Sequence, residues 1–522
     1  MPKQIPLLLS ALLLLGCGDE PPPREATAPA RIIEPGIAWF DGSVEDAFAT
    51  AREQNKPVFM YWGAKWCPPC NQIKSTVFTQ PAFIERTRGF VPVYVDGDSP
   101  GAQKLGERFG AMGYPTLIVF RPDGTELTRI TSGMELSRYP EVLALAAQQT
   151  RPIAELVDRA LASPDKIDHD ALRLLAFYGW PADPGSALGD REPAEVYHAL
   201  AEIALDHGAL LHNRFRLLAL NAELDAAEVE SLDGHAAIEG NRVLLREILS
   251  EPAQLRASLT ELQYYGARLV LATTEASSAA RTELSEGLVY AMDDVFDDES
   301  LPVKQRLLTT YTLIDLHRTL NPDAPAPDEL VALVETRAAW ANEAATTPYE
   351  RQSLIYNAAN YLHDVGRSEQ AKALFIAEME RAVSPHYYMG YVADVEQDLG
   401  NHEAAVDWAR RAWEAAEGPA TRAQWGIAYA RTLLELAPAD AATIEAVVSQ
   451  LIKELRANPG SFYQRTRVRV QRLDAALREW AAEQGQAEVV ARLQADIRPL
   501  CAELPADDGA RGVCEQLLTA GV

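Results

Sequence analysis

The 522-residue chain is short of positive charge, of cysteine and of long apolar runs. Its 48 lysines and arginines face 75 aspartates and glutamates, a formal net charge of −27. Such a surface repels a phosphate backbone, which excludes nucleic-acid binding as a main role, and it is repelled by an anionic bilayer too. Any membrane attachment must then be covalent or hydrophobic. The apolar run Ile5 to Leu15 is too short to span a bilayer as a stable helix, and behind Lys3 it reads as the core of an export signal. With 48% hydrophobic and 24% charged residues the remainder has the composition of an ordinary soluble protein. At this length one core cannot serve the whole chain, and two to four domains are expected.

The cysteines number five. Cys67 and Cys70 stand in "YWGAKWCPPCNQ" at residues 61–72, separated only by Pro68 and Pro69. On spacing alone this is a redox centre, half of a metal site or a structural staple. Four-thiolate zinc would have to recruit Cys501 and Cys514, which lack CxxC spacing and lie far along the chain. A two-residue loop is also a poor clamp. His198, His207 and His212 do not share a helical face with acidic ligands, and "DDVFDDES" at 293–300 lacks the glycine and terminal glutamate of a calcium loop. Neither metal nor cofactor is expected.

Residues 18–36 are rich in proline and alanine, without apolar period, and read as an extended tether. An α/β pattern starts at about residue 37. Ser43 caps a helix over "VEDAFATAREQN", "VFMYW" is a strand, and the CPPC stretch opens the next helix. "FVPVYVD" is a second strand, "GAQKLGERFG" a helix, "TLIVF" a third strand turning through "RPDG" into "TELTRI", and "MELSRYPEVLALAAQQ" a closing helix. Beyond residue 151 only amphipathic helices are expected, as a helical region over 151–345 and a repeating one over 346–522. Val365-Gly366 recurs as Leu399-Gly400, Ala359 as Ala393, Ala371 as Ala405 and Pro385 as Pro419, each 34 residues on, the tetratricopeptide period. Tyr387, Tyr388, Tyr391, Trp408, Trp413 and Trp425 are expected in the core of those repeats.

Two resemblances add to this. Leu14-Leu15-Gly16-Cys17 resembles the lipobox of bacterial lipoproteins, which implies cleavage before Cys17, lipid on its sulfur, and a periplasmic protein anchored to the inner or outer membrane. "KPVFMYWGAKWCPPC", then "FVPVYVDGD" and "GAMGYPTLIVFRPDGTEL", resemble the thioredoxin superfamily over about 37–150, most closely the periplasmic domain of disulfide-interchange reductases. The expected fold is thus a thioredoxin-like α/β domain followed by an all-α tetratricopeptide-like array.

The resemblance implies that Cys67 is the nucleophile and Cys70 the resolving thiol. A helix N-terminus should favour the Cys67 thiolate, with a pKa falling from about 8.5 to about 7. Pro68 and Pro69 donate no N–H, which weakens that support and tilts the pair toward reduction. Lys65 would oppose the tilt if its ammonium lay near Cys67, but reads as a surface lysine. Pro115 matches the family's cis-proline, Tyr114 then borders the substrate strand, and Trp66 flanks the site. Where thioredoxins carry a buried aspartate, Tyr61 stands, a poor base at neutral pH, so a narrow set of partners is expected. Cys501 and Cys514 are expected to form a structural disulfide worth about 3 kcal/mol, a second redox pair being the alternative.

The functional expectation is a lipid-anchored thiol:disulfide oxidoreductase, on the reducing side, exchanging with protein thiols and a redox partner while the array binds proteins. The alternatives are a tetratricopeptide-like adaptor whose thioredoxin-like domain only binds extended segments, and an oxidant or isomerase.

Overall fold

A computed structural model describes residues 36–131, 138–148, 151–227 and 232–518. Cys17, the export-like segment and nearly all of the tether lie outside the described residues.

Ser43 starts α1 (Val44–Gln54) with a capping box: the Asp46 N–H donates to Ser43 Oγ at 3.1 Å and the Ser43 N–H to Asp46 Oδ2 at 3.3 Å. β1 (Val58–Gly63) leads to α2 (Pro68–Thr76), then α3 (Pro81–Thr87), β2 (Val91–Asp96), α4 (Ala102–Arg108), β3 (Thr116–Phe120), β4 (Glu126–Thr131) and α5 (Tyr139–Gln148). α3 was not anticipated; seven residues behind a first-turn proline give too little period to read.

The sheet order is β2-β1-β3-β4, with β1 parallel to β2 and antiparallel to β3, and β3 antiparallel to β4. β1 is therefore interior, and all six of its residues are buried, which explains an apolar run without alternation. Its two faces enter different cores. Val58, Met60 and Trp62 pack with α1 and β2, while Phe59 and Tyr61 join Ile73, Phe78 and Phe83 on the α2–α3 side.

The second core does not stop at residue 150. It continues from Leu143 and Ala146 into Ile153, Leu156, Leu172, Leu175, Tyr197 and Phe215. Arg129 of β4, only 1% exposed, binds Glu126 at 2.7 Å and donates to the carbonyls of Gly110 and Ala182, fastening the sheet to the first helices beyond it. Another core runs from Leu307 to Val395 and so crosses 345. Packing thus ignores both boundaries expected in the helical part, because helices stacked in series share faces with both neighbours.

Among the described residues from Ile153 to Gln516 every regular element is a helix, and helices adjacent in sequence pack on one another. Pro385 and Pro419 are first residues of the helices Pro385–Asp398 and Pro419–Leu436, where a missing N–H costs nothing. Gly366 and Gly400 take left-handed φ values of 80° and 78° just after helix ends. Ala371 and Ala405 are fully buried at equivalent helix contacts. Cys501 and Cys514 are disulfide-bonded inside the last core, their Cα atoms 5.4 Å apart. No helix among the described residues is long and apolar enough to cross a membrane.

The array also returns to its start. The helix Pro348–Asp364 packs on α2, the helix Gln464–Gln484 on α4, and Lys104 of α4 pairs with Asp508 at 3.0 Å.

Two outcomes follow for stability. A Cβ at Gly390 would lie 2.0 Å from the Trp425 ring, so Gly390→Ala should cost about 1–3 kcal/mol and lower Tm in calorimetry of the full chain. His386 is 5% exposed, its Nε2 has no hydrogen-bond partner, and burial holds its pKa down to about 4. A folded-state pKa below the unfolded value of about 6.5 means stability present above that pH and lost as pH falls toward 4, by up to about 3 kcal/mol. His386→Phe should flatten that part of the profile, measured by urea unfolding between the two values.

Candidate redox site

The motif geometry is set by helix chemistry. Cys67 is the N-cap of α2, and Pro68 and Pro69 fill the first two helical positions, where no N–H can be offered. The first donor available is the Cys70 N–H, which reaches Cys67 Sγ at 3.2 Å. Cys67 and Cys70 are paired as a disulfide, with Cα atoms 5.2 Å apart.

Cys67 is 3% exposed and Cys70 fully buried. Once the disulfide is reduced, burial pushes the Cys67 thiol well above its ordinary range, the reverse of the depression expected from a helix N-terminus. The reason is that desolvation of the thiolate outweighs one N–H and a capped dipole once protein covers the sulfur. Tyr61 is buried at Cys70; burial first, then the neighbouring sulfur, push its phenol well above 10, so it keeps its proton at any ordinary pH. Lys65 is exposed and contributes only its carbonyl, which accepts from Asn71 Nδ2 at 3.0 Å.

Opposite the pair, the Tyr114–Pro115 peptide is cis. Gln103 Nε2 donates to Tyr114 Oη at 2.8 Å, and the Tyr114 ring stacks on Trp62 and meets Trp66 edge-on at 5.8 Å. Gly97 makes room: a Cβ there would come within 2.0 Å of Tyr114 Oη.

What covers the site comes from the array. Trp66 stacks on Tyr387 at 5.8 Å, its carbonyl accepts from Gln352 Nε2 at 3.3 Å, and the Arg465 guanidinium lies 5.4 Å over its ring and 5.0 Å over Tyr114. Trp66 Nε1 donates to Asp98 Oδ2 at 3.2 Å, while Asp98 Oδ1 accepts from the Thr421 N–H at 2.7 Å and Oδ2 from Thr421 Oγ1. Burial raises the Asp98 pKa, and the bonds from Thr421 and Trp66 oppose the rise. Lys304, at the start of the helix Val303–Leu320, feels both Cys67 and Cys70; burial pulls its ammonium down to about 8 against their opposing pull. Tyr387, expected as repeat core, instead meets the redox motif, whereas Tyr388, Trp413 and Trp425 are buried within the array.

The residues expected from sequence at 61, 66, 67, 68, 69, 70, 114 and 115 converge on one site. Asp98, Lys304, Gln352, Tyr387, Thr421 and Arg465 were not anticipated, and nothing local in the sequence marks them: five of the six lie more than 200 residues from Cys70.

A family profile described as a thioredoxin-like domain matches residues 44–147. Those residues form a thioredoxin-like domain. Over 108 residues, 20% of this chain and 18% of the relative, it is 30% identical to thiol:disulfide interchange protein DsbD 1 of Pseudomonas aeruginosa. Over 90 residues, 16% of this chain and 15% of the relative, it is 31% identical to thiol:disulfide interchange protein DsbD of Actinobacillus pleuropneumoniae. The matches thus span less than a fifth of those relatives. A thioredoxin from Thermus thermophilus, solved in solution, aligns with 24% identity and a TM-score of 0.20, over 21% of this chain and 85% of that one. The thioredoxin-like domain is followed by the all-helical region.

Asp98→Ala leaves the buried donors of Trp66 and Thr421 without their acceptor, which costs about 1–3 kcal/mol of docking. In the reduced protein, alkylation of Cys67 by iodoacetamide, followed by mass spectrometry, should accelerate about tenfold or more over the wild type.

Proposed function

We propose that this protein is a thiol:disulfide oxidoreductase of the periplasm, lipid-anchored through Cys17, that reduces disulfides in protein substrates presented to Cys67. The observation that carries this reading is the CPPC pair at the start of α2, facing Tyr114 and a cis Pro115 in a thioredoxin-like domain. The named relatives are thiol:disulfide interchange proteins, which supports exchange chemistry for the matched segment.

In the reaction, the Cys67 thiolate attacks one sulfur of the substrate disulfide. A Cys67–substrate bond forms as the substrate S–S bond breaks, and the first substrate sulfur leaves as a thiolate that takes a proton from solvent. The Cys70 thiolate then attacks Cys67 Sγ, releasing the second substrate thiol. The substrate gains two electrons and the chain is left with the Cys67–Cys70 disulfide, which a redox partner must reduce. Cys67 and Cys70 are the catalytic residues, Trp66, Tyr114 and Pro115 border the substrate, and Pro68, Pro69, Tyr61 and Lys65 flank the pair.

The reducing direction is supported by Pro68 and Pro69, which withhold N–H donors from the Cys67 thiolate. A pair whose thiolate is poorly stabilised gives its electrons up more readily. The tetratricopeptide-like repeats would recruit or orient the protein partner. Burial of Cys67 beneath them also favours a second reading, an adaptor that holds extended segments with little turnover.

Insulin-reduction assays on the full chain separate the two: Cys67→Ser should abolish turnover, whereas an adaptor would show none to lose. Cys70→Ala should accumulate mixed disulfides on Cys67 in the periplasm, seen as shifted bands on non-reducing gels. A potential well above about −200 mV would rule out the reducing direction.

A further inference from the structure

In a chain of net charge −27, most arginines of the array sit beside a carboxylate, but one group does not. Arg465, Arg469 and Arg472 occupy one face of the helix Gln464–Gln484 at i, i+4 and i+7, and Arg431 comes from the adjoining helix Pro419–Leu436. Among the described residues none of the four forms an ion pair. Burial and the like charges of Arg465, Arg472 and Arg431 pull the Arg469 guanidinium down to about 10.

The group is placed at the redox site. Arg465 lies over Trp66 and Tyr114, and Arg469 lines the narrow cavity that Trp66, Asp98, Tyr114 and Thr421 also enclose. Asp98 lines the same cavity but forms no ion pair with the group, its oxygens accepting from Trp66 and Thr421, so one carboxylate stands against four guanidiniums. Arg472 and Arg431 are exposed, so the positive stripe runs from Tyr114 outward to solvent. At 1.5 Å per residue, Arg465 to Arg472 covers about 10 Å, the length of about three residues of extended chain.

We propose that Arg465, Arg469, Arg472 and Arg431 form a docking stripe for an acidic, extended segment next to the reactive cysteine of the protein substrate. This rests on the oxidoreductase reading above and adds to it the class of substrate. Carboxylates two to three residues apart on such a segment match the guanidinium spacing, and the excess acid of the remaining surface repels that segment everywhere else. A nucleic acid would meet the same repulsion over a far larger area. An acidic segment also draws Arg465 off Trp66 and Tyr114, clearing the edge beside which the substrate strand lies.

The test uses the reduced full chain and fluorescein-labelled peptides with serine in place of cysteine, so that anisotropy reads binding without turnover. A peptide with three acidic residues beside the serine should bind about tenfold tighter than its Asn/Gln counterpart, the sum of a few partly screened charge pairs. Arg469→Gln with Arg472→Gln should bring the two peptides within about twofold, Arg469→Lys with Arg472→Lys should keep most of the difference, and raising salt from about 0.02 M to about 0.2 M should erode it. Arg381→Gln, exposed and outside the stripe, should change nothing. Equal binding of both peptides, loss on the lysine variant as large as on the glutamine variant, or an equal loss with Arg381→Gln overturns the proposal. Reduction of a neutral disulfide peptide by the wild type is measured in parallel. If that fails, the oxidoreductase reading falls; if it succeeds without acid preference, only the stripe does.

Discussion

One half-buried carboxylate organises this molecule. Asp98 sits beyond the end of β2 on the redox face, and a carboxylate taken out of water is tolerated only when donors surround it. One donor, Trp66, belongs to the residue before Cys67; the other, Thr421, starts a helix more than 300 residues later. Satisfying Asp98 therefore brings the array onto the redox motif. Tyr387 on Trp66, Gln352 on the Trp66 carbonyl, and the burial of Cys67 all accompany that contact.

The electrostatics of the pair follow from that cover. A helix N-terminus in water would favour a thiolate; the same N-terminus beneath a helical array, with two prolines in its first turn, favours the thiol or the disulfide. Lys304 is the counterweight, an ammonium brought in by the array and itself disfavoured by burial. The redox domain thus does not own its own electrostatics: a sizeable share is contributed by helices outside its fold.

The domain was legible because its signals are local. Ser43 with Asp46, the unbroken apolar β1, the CPPC turn and the "GYPT" loop each declare a structure within a few residues, and the strands and helices formed where those signals put them. α3 was too short to show a period. The helices beyond residue 151 were legible as helices, since alanine- and leucine-rich segments keep their spacing, but where they pack was not. Asp98 and Thr421 look like an ordinary loop aspartate and a first-turn threonine, and nothing in either neighbourhood points to the other. The burial of Cys67 was hidden for the same reason: helix position can be read from sequence, whereas solvent exclusion by a segment hundreds of residues away cannot.

The contact between Lys104 and Asp508 has a bearing on how the molecule is made. Asp508 lies in the loop closed by Cys501 and Cys514, and it also binds Tyr463, so the stapled loop is pinned against α4 of the first domain. A chain emerging in order can fold residues 44–147 and the helices that share their core long before residue 508 exists. The cover over the CPPC pair is then assembled in stages, Gln352 and Tyr387 coming from earlier helices and Thr421 and Arg465 from later ones. A chain lacking its last helices would be a different reagent from the finished one, its dithiol less shielded.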